Sequence, residues 1–266
     1  TSYGITVEYV NLDQSGAVDF AHLERLLADT TQKTLVSLMH INNEVGNILD
    51  LKHVAQLCKK YDSLFHSDTV QSIGHYPLDF TDIPIDFAAV AAHKFHGPKG
   101  VGFAFIRKNS GIKPMIFGGS QEKGLRAGTE PVHAIVGMVE ALRISYQNLA
   151  QEKTYITDLK NYFKTSLSKE IPEIKFNGQC SDNQNSTYTV LNVCLPVSAE
   201  KGKMLLFQLD LKGIACSKGS ACQSGSNKGS HVLSEILSDE DLTKPSIRFS
   251  FSSFNTTDEI DYVVQT

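Results

Sequence analysis

Lys94 sits in the run Ala91-Ala92-His93-Lys94-Phe95-His96-Gly97-Pro98-Lys99-Gly100, directly after the apolar stretch Ile85 to Val90. That stretch reads as a buried strand, and the Gly-Pro pair reads as a turn into a second strand, Val101 to Ile106. A lysine at the end of a buried strand either reaches water or is put to use. Desolvation lowers an amine's pKa, and a neutral amine is the form that makes a Schiff base with an aldehyde.

Other residues able to do chemistry lie at comparable places. Asp68 follows Leu64-Phe65-His66, with Gln71 three residues on. A carboxylate there can hold a cation or a protonated ring nitrogen, or simply cap a helix. Asn42-Asn43-Glu44-Val45-Gly46 reads first as a turn. Gly118 to Thr129 is a polar, glycine-rich loop before a helix, where backbone amides, Arg126 and Thr129 offer donors to a phosphate. It matches neither the P-loop nor the dinucleotide pattern. Cys222 stands in Cys216 to Ser230, a segment too rich in small and polar residues to be core, where a thiol beside lysines tends toward the thiolate. Cys216 belongs with the strand before it, and Cys58, Cys180 and Cys194 read as structural. No cysteine pair has zinc-ribbon spacing. Arg248, in the alternating strand Pro245 to Ser250, suits two-pronged capture of a carboxylate, or a surface ion pair.

The elements that must position these residues alternate between strand and helix. Ile5 to Val10, Thr34 to Met39, Ser63 to His66, Ile85 to Ala91 and Val101 to Ile106 read as strands. Phe20 to Ala28 and the stripe Leu51, Val54, Ala55 and Cys58 read as helices. That order predicts βαβ units and a mostly parallel sheet, with ligands at the carboxyl ends of the strands. One long helix is expected from Pro131 to about Ile171, bridging to strands Thr187 to Cys194 and Ser246 to Phe251 and a helix Ala199 to Lys212. Two domains follow, residues 1–145 and 146–266.

The chain has 266 residues, 41% hydrophobic and 20% charged, with a formal charge of −4. That balance argues against a dedicated nucleic-acid binder. No apolar run approaches the roughly 20 residues of a membrane span, and the sequence does not open on a basic-then-apolar start resembling a signal peptide. Five irregularly placed cysteines suit a reducing compartment, so the cytoplasm is expected. The chain starts in what reads as a strand and stops in what reads as a helix, as a piece of a longer protein would.

Together these segments resemble the cysteine desulfurases, pyridoxal 5'-phosphate (PLP) enzymes of the class V aminotransferase group. The resemblance is carried, in order, by Met39 to Gly46, His66 to Ser72, His93 to Gly100, Arg126 to Thr129, Gly219 to Cys222 and Ile247 to Ser250. It implies an α/β fold of the aspartate-aminotransferase-like PLP-transferase type: a large domain with a mostly parallel sheet and a smaller α+β C-terminal domain. The polar segment around Cys222 is similar to the branch that feeds iron–sulfur cluster assembly and tRNA thiolation.

The resemblance further implies roles. Lys94 would hold PLP covalently and shuttle a proton, and Asp68 would pair with the pyridine nitrogen. Gln71 and Asn43 would serve the phenolic oxygen, His93 the phosphate, and Thr129 the phosphate of the neighbouring subunit in a homodimer. Arg248 would grip the carboxylate of L-cysteine, and Cys222 would take its sulfur as a persulfide for an acceptor protein. Two departures stand out. Ala91 replaces the family's usual serine, and about a hundred N-terminal residues are missing, with a phosphate-binding loop and a ring-stacking histidine. The rival readings are another class V enzyme such as a selenocysteine lyase, and a truncated, non-catalytic remnant.

Overall fold

The computed structural model describes residues 4–29, 31–218 and 229–266. They divide into two compact units that do not follow a single cut in the chain. One comprises Leu27–His40 and Asp50–Leu149; the other holds the chain up to Leu26, Ile41–Leu49 and Ala150–Thr266.

The first unit is built on a four-stranded sheet in the order β1 (Leu35–Ser37), β2 (Leu64–Asp68), β3 (Phe87–Ala91) and β4 (Gly102–Ile106). β1, β2 and β3 run parallel, and β4 returns antiparallel to β3 with Phe87 opposite Ile106. The connection 92–101, which includes the short 3-10 turn Ala92–Phe95, is too short for a crossover and so returns β4 antiparallel. Helix α2 (Leu51–Lys60) begins where the Asp50 side chain accepts from His53 N, and buries Leu51, Val54, Ala55 and Cys58 on one face. Burial pushes the Cys58 thiol up to about 12. Arg107, just past β4, donates to the carbonyls of Phe80, Ile83 and Ile85 and so fixes the approach to β3. The core gathers Ile73, Val90, Ala92, Phe95 and Met138, with Ile135 and Leu142 against them.

The second unit carries an antiparallel sheet, β5 (Lys175–Phe176), β6 (Val190–Cys194) and β7 (Ser246–Ser250), with β6 central and buried throughout. The later turns of α3 (Val132–Glu170) supply Leu159, Phe163 and Leu167, which pack with Leu191, Val193 and Ile247. The Phe163 and Phe249 rings meet edge to face at 4.9 Å. Following α3 come α4 (Ala199–Gly202), α5 (Leu205–Leu211), α6 (Leu233–Ile236), α7 (Asp239–Leu242) and α8 (Thr257–Gln265), the last opened by a Thr256–Glu259 capping box. Helix α1 (Phe20–Ala28) precedes β1.

Three elements differ from the sequence reading. Ile5 to Val10 is irregular, with Ile5, Val7 and Tyr9 exposed, because no described strand lies beside it to complete a ladder. The expected helix Ala199 to Lys212 breaks after Gly202, whose α-carbon abuts Pro245 so closely that a methyl group would lie 2.8 Å from the ring. β6 starts at Val190 rather than Thr187, since the Thr187 amide is drawn away to Gly46 O. Among the described residues no helix is long and apolar enough to cross a membrane.

Candidate active site

Asp68 is the last residue of β2 and lies opposite Ala89 of β3. Its Oδ1 accepts from Val70 N at 2.9 Å, starting a turn, while Thr69 closes that turn onto the Ala89 carbonyl through both its amide and its hydroxyl. Ser67, Thr69 and Ser72 are fully buried beneath it. Asp68 and Gln71 are half-buried. The peptide of Asp68 is also braced from β1's side, where His40 N donates to Asp68 O at 2.9 Å. His40 itself is buried, and desolvation lowers its imidazole to about 4, so it is neutral at physiological pH.

Lys94 follows the end of β3 in a 3-10 turn, Ala92–Phe95, that the left-handed His96 terminates. His93 and Lys94 are exposed, while Ala92 and Phe95 are buried and anchor the turn. The amine is therefore not desolvated by protein here, in contrast to the sequence argument for a buried strand end. Two contacts join this turn to the one after Asp68. The His75 ring nitrogen Nε2 lies 2.9 Å from Lys94 O, and Gly74 (φ +84°) packs directly on the Phe95 side chain. The same unit carries Thr129, exposed at the end of a loop folded on itself by Arg126 Nη1 to Gly128 O and Gly128 N to Gln121 Oε1.

Asn43 and Arg248 belong to the second unit, where they meet. Arg248 Nη1 donates to Asn43 O at 2.8 Å. The turn holding Asn43 is closed by Asn42 Oδ1, which accepts from Glu44 N and Val45 N. Burial pulls the Arg248 guanidinium below its ordinary value, and the Glu44 carboxylate nearby opposes that. Arg248 Nε is buried without a hydrogen-bond partner among the described residues. An arginine with Nη1 tied down and the side chain only partly buried can still offer its remaining guanidinium nitrogen to an anion.

Cys222 lies outside the described residues. Cys216 is half-buried and its thiol is held up by burial and by Asp210, the opposite of activation. The sequence reading passed over Glu44, which the fold buries completely, and Lys160, one lysine among many on α3 that proves fully buried. For Glu44 the only signal was its place in an Asn-Asn-Glu turn. No His, Cys, Asp and Glu cluster among the described residues could hold a metal ion.

Comparison with known proteins gives this arrangement its context. The aminotransferase class-V pattern matches residues 1–263. A cysteine desulfurase IscS from Dictyoglomus turgidum is 38% identical over 261 residues, 98% of this chain and 64% of that protein. A solved structure described as a NifS-like protein superposes with a TM-score of 0.87 at 33% identity, covering 99% of this chain and 67% of its own. A NifS-like protein from Rickettsia africae gives 0.86 at 32%, covering 99% and 69%. The chain thus spans about two thirds of the length of its relatives, just under that for the curated desulfurase. From Lys94 at the carboxyl end of β3 to Arg248 on β7, the residues described above fall within the matched region, and the chain belongs to the aminotransferase class-V family.

Proposed function

We propose that this chain is the greater part of a PLP-dependent cysteine desulfurase. The reading rests chiefly on the turn after Asp68 being packed against the turn bearing Lys94, so that a carboxylate and an amine issue from neighbouring strand ends. Relatives named cysteine desulfurase support it. The donor set fits the cofactor: an accessible primary amine, a carboxylate with Oδ2 unengaged among the described residues, and the His93 and Thr129 side chains likewise without protein partners.

PLP, when bound, supplies an electron sink for bonds at the substrate's α-carbon. Lys94 Nζ would hold it and move the proton at that carbon. Asp68 would keep the ring nitrogen protonated, and Gln71 and Asn43 would serve the phenolic oxygen. His93 would help hold the phosphate, and Thr129 would serve the partner subunit's site in a homodimer. Arg248 orients L-cysteine by its carboxylate. The Cys222 thiolate attacks the substrate sulfur, the carbon–sulfur bond breaks with its electron pair going to carbon, and protonation there gives alanine beside a persulfide on Cys222. An acceptor protein then takes the sulfur.

Borohydride reduction of the protein mixed with PLP tests the assignment. Peptide mapping should find the pyridoxyl group on Lys94, and a label on Lys99 or Lys123 instead would refute it.

A further inference from the structure

Glu44 is a carboxylate with no exposed surface, one residue from the carbonyl that holds Arg248. Burying a charge without compensation is costly, so its surroundings are informative. Oε2 accepts a 2.5 Å hydrogen bond from Ser230 Oγ. Oε1 is buried with no hydrogen-bond partner among the described residues, as is Arg248 Nε. The two side chains influence one another electrostatically, yet no ion pair forms between them within 4 Å. Asn192 Nδ2, from central strand β6, fixes the Glu44 carbonyl at 2.9 Å.

Ser230 and Ser217 flank the stretch of sequence that contains Cys222. Ser217 is laddered to Arg248 in both directions, by Arg248 N to Ser217 O at 2.7 Å and Ser217 N to Arg248 O at 3.1 Å. Ser230 is bonded to Glu44 and also accepts from Val232 N and Leu233 N, which sets the start of α6. Both flanks are therefore fastened to one small assembly, Asn43-Glu44 with Arg248.

We propose that Glu44 is a positioning residue: it is Arg248's resident counter-charge and, through Ser230, anchors the downstream flank of the Cys222-bearing segment to the carboxylate site. This rests on Arg248 being that site. With Nη1 engaged by Asn43 O and Nε enclosed by protein, an incoming carboxylate is taken at Nη2, against the negative charge of Glu44. Ser230 lessens that opposition by donating to Glu44.

The chain has five arginines, so nitrogen-15 labelling resolves the Nε–H signals, and Arg248→Lys assigns the relevant one. Acetate is the probe, with ethylamine as the control that lacks a carboxylate. Acetate should shift the Arg248 signal saturably in the unaltered protein. Glu44→Gln, whose amide oxygen still accepts from Ser230, should bind acetate about threefold more tightly or better. Ser230→Ala should bind it more weakly, because Glu44 then presents its charge without a donor. A merely structural role would weaken both variants, so opposite signs identify the proposed one. Hydrogen exchange supplies the second readout: Glu44→Ala should speed exchange of the Val232 and Leu233 amides about tenfold or more, and Glu44→Gln should not. No acetate response at Arg248 in the unaltered protein would remove the carboxylate reading and this proposal together. An acetate response equal in Glu44→Gln and the unaltered protein would overturn the role of Glu44 alone. If Glu44→Gln does not fold, the Ser230→Ala acetate affinity decides, and unchanged or tighter binding there refutes the proposal.

Discussion

Gly74 and Phe95 are in such close contact that a β-carbon on Gly74 would lie 2.6 Å from the Phe95 β-carbon. This contact joins the turn that follows Asp68 to the turn that carries Lys94, and it sets the spacing of the two groups proposed to hold the cofactor. Gly74 also has φ +84°, a conformation that side chains disfavour. Gly74→Ala should therefore destabilise the protein by at least about 2 kcal/mol, read as a lower urea midpoint. In variant that remains folded, borohydride labelling of Lys94 by PLP should fall well below that of the unaltered protein. Equal stability and equal labelling would show that the contact positions nothing.

Thiol chemistry gives a second expectation. Burial raises the thiols of Cys58, Cys180, Cys194 and Cys216 above the ordinary range. At pH 7 to 8 an alkylating reagent should modify Cys222 first. In the active protein, Cys222→Ser should retain folding and PLP colour yet form neither persulfide nor alanine, while Cys216→Ser keeps most activity. Mass spectrometry locating the persulfide on Cys216 would reverse the assignment.

Lys160 provides the clearest pH dependence. Its amine is buried in the second unit, donates to Ser186 Oγ and Thr187 O, and is lowered by desolvation to about 8. The unfolded chain holds that proton up to about pH 10.5, so between pH 8 and 10.5 unfolding takes up a proton and this residue's contribution to stability rises with pH. Compared with Lys160→Met, the unaltered protein should gain on the order of 2–3 kcal/mol across that window. Urea midpoints of both proteins at pH 7.5 and pH 10 measure it, and parallel changes would show that the amine is not buried as a cation.

Association is testable through α3. Val132, Val136 and Val139 form an exposed apolar stripe at helical spacing, and Met115 and Phe117 in the same unit are 91% and 81% exposed. Apolar surface of this kind suits a partner subunit. Sedimentation should find a homodimer for the unaltered protein, and Val136→Glu should shift it toward monomer without lowering thermal stability of the monomeric unit. A protein already monomeric at micromolar concentration would contradict the shared-site reading.

The placement of Asp68 and Lys94 at adjoining strand ends is legible in sequence because local patterns specify it. Leu51, Val54, Ala55 and Cys58 repeat at helical spacing, short apolar runs mark β2 and β3, and the long connection 69–86 between them leaves room for a parallel return. What escapes such reading is long-range. Nothing near Glu44 announces a hydrogen bond to Ser230, 186 positions away, and nothing near Lys160 shows that the carbonyl of Thr187 awaits it. Ile5 to Val10 shows the opposite failure: its pattern favours a strand, but a ladder also needs a neighbour, and none is found among the described residues. Burial of a charged group is likewise a property of the assembled fold, so the composition of a turn or a helix cannot reveal it.

Among the described residues, the four-stranded sheet ends on both sides in strands paired along one edge only, β1 through β2 and β4 through β3. Leu35 on β1 and Phe103 on β4 face outward at those borders, and neither strand contains a charged residue. Lysines, prolines and bulges are the usual means by which a sheet margin discourages strand addition from another molecule, and within these two strands none is present. Solubility of this polypeptide in isolation is accordingly a question of what shields those margins. Light scattering that grows with concentration and is suppressed by a lysine at position 35 would trace self-association to the β1 edge rather than to the apolar stripe of α3.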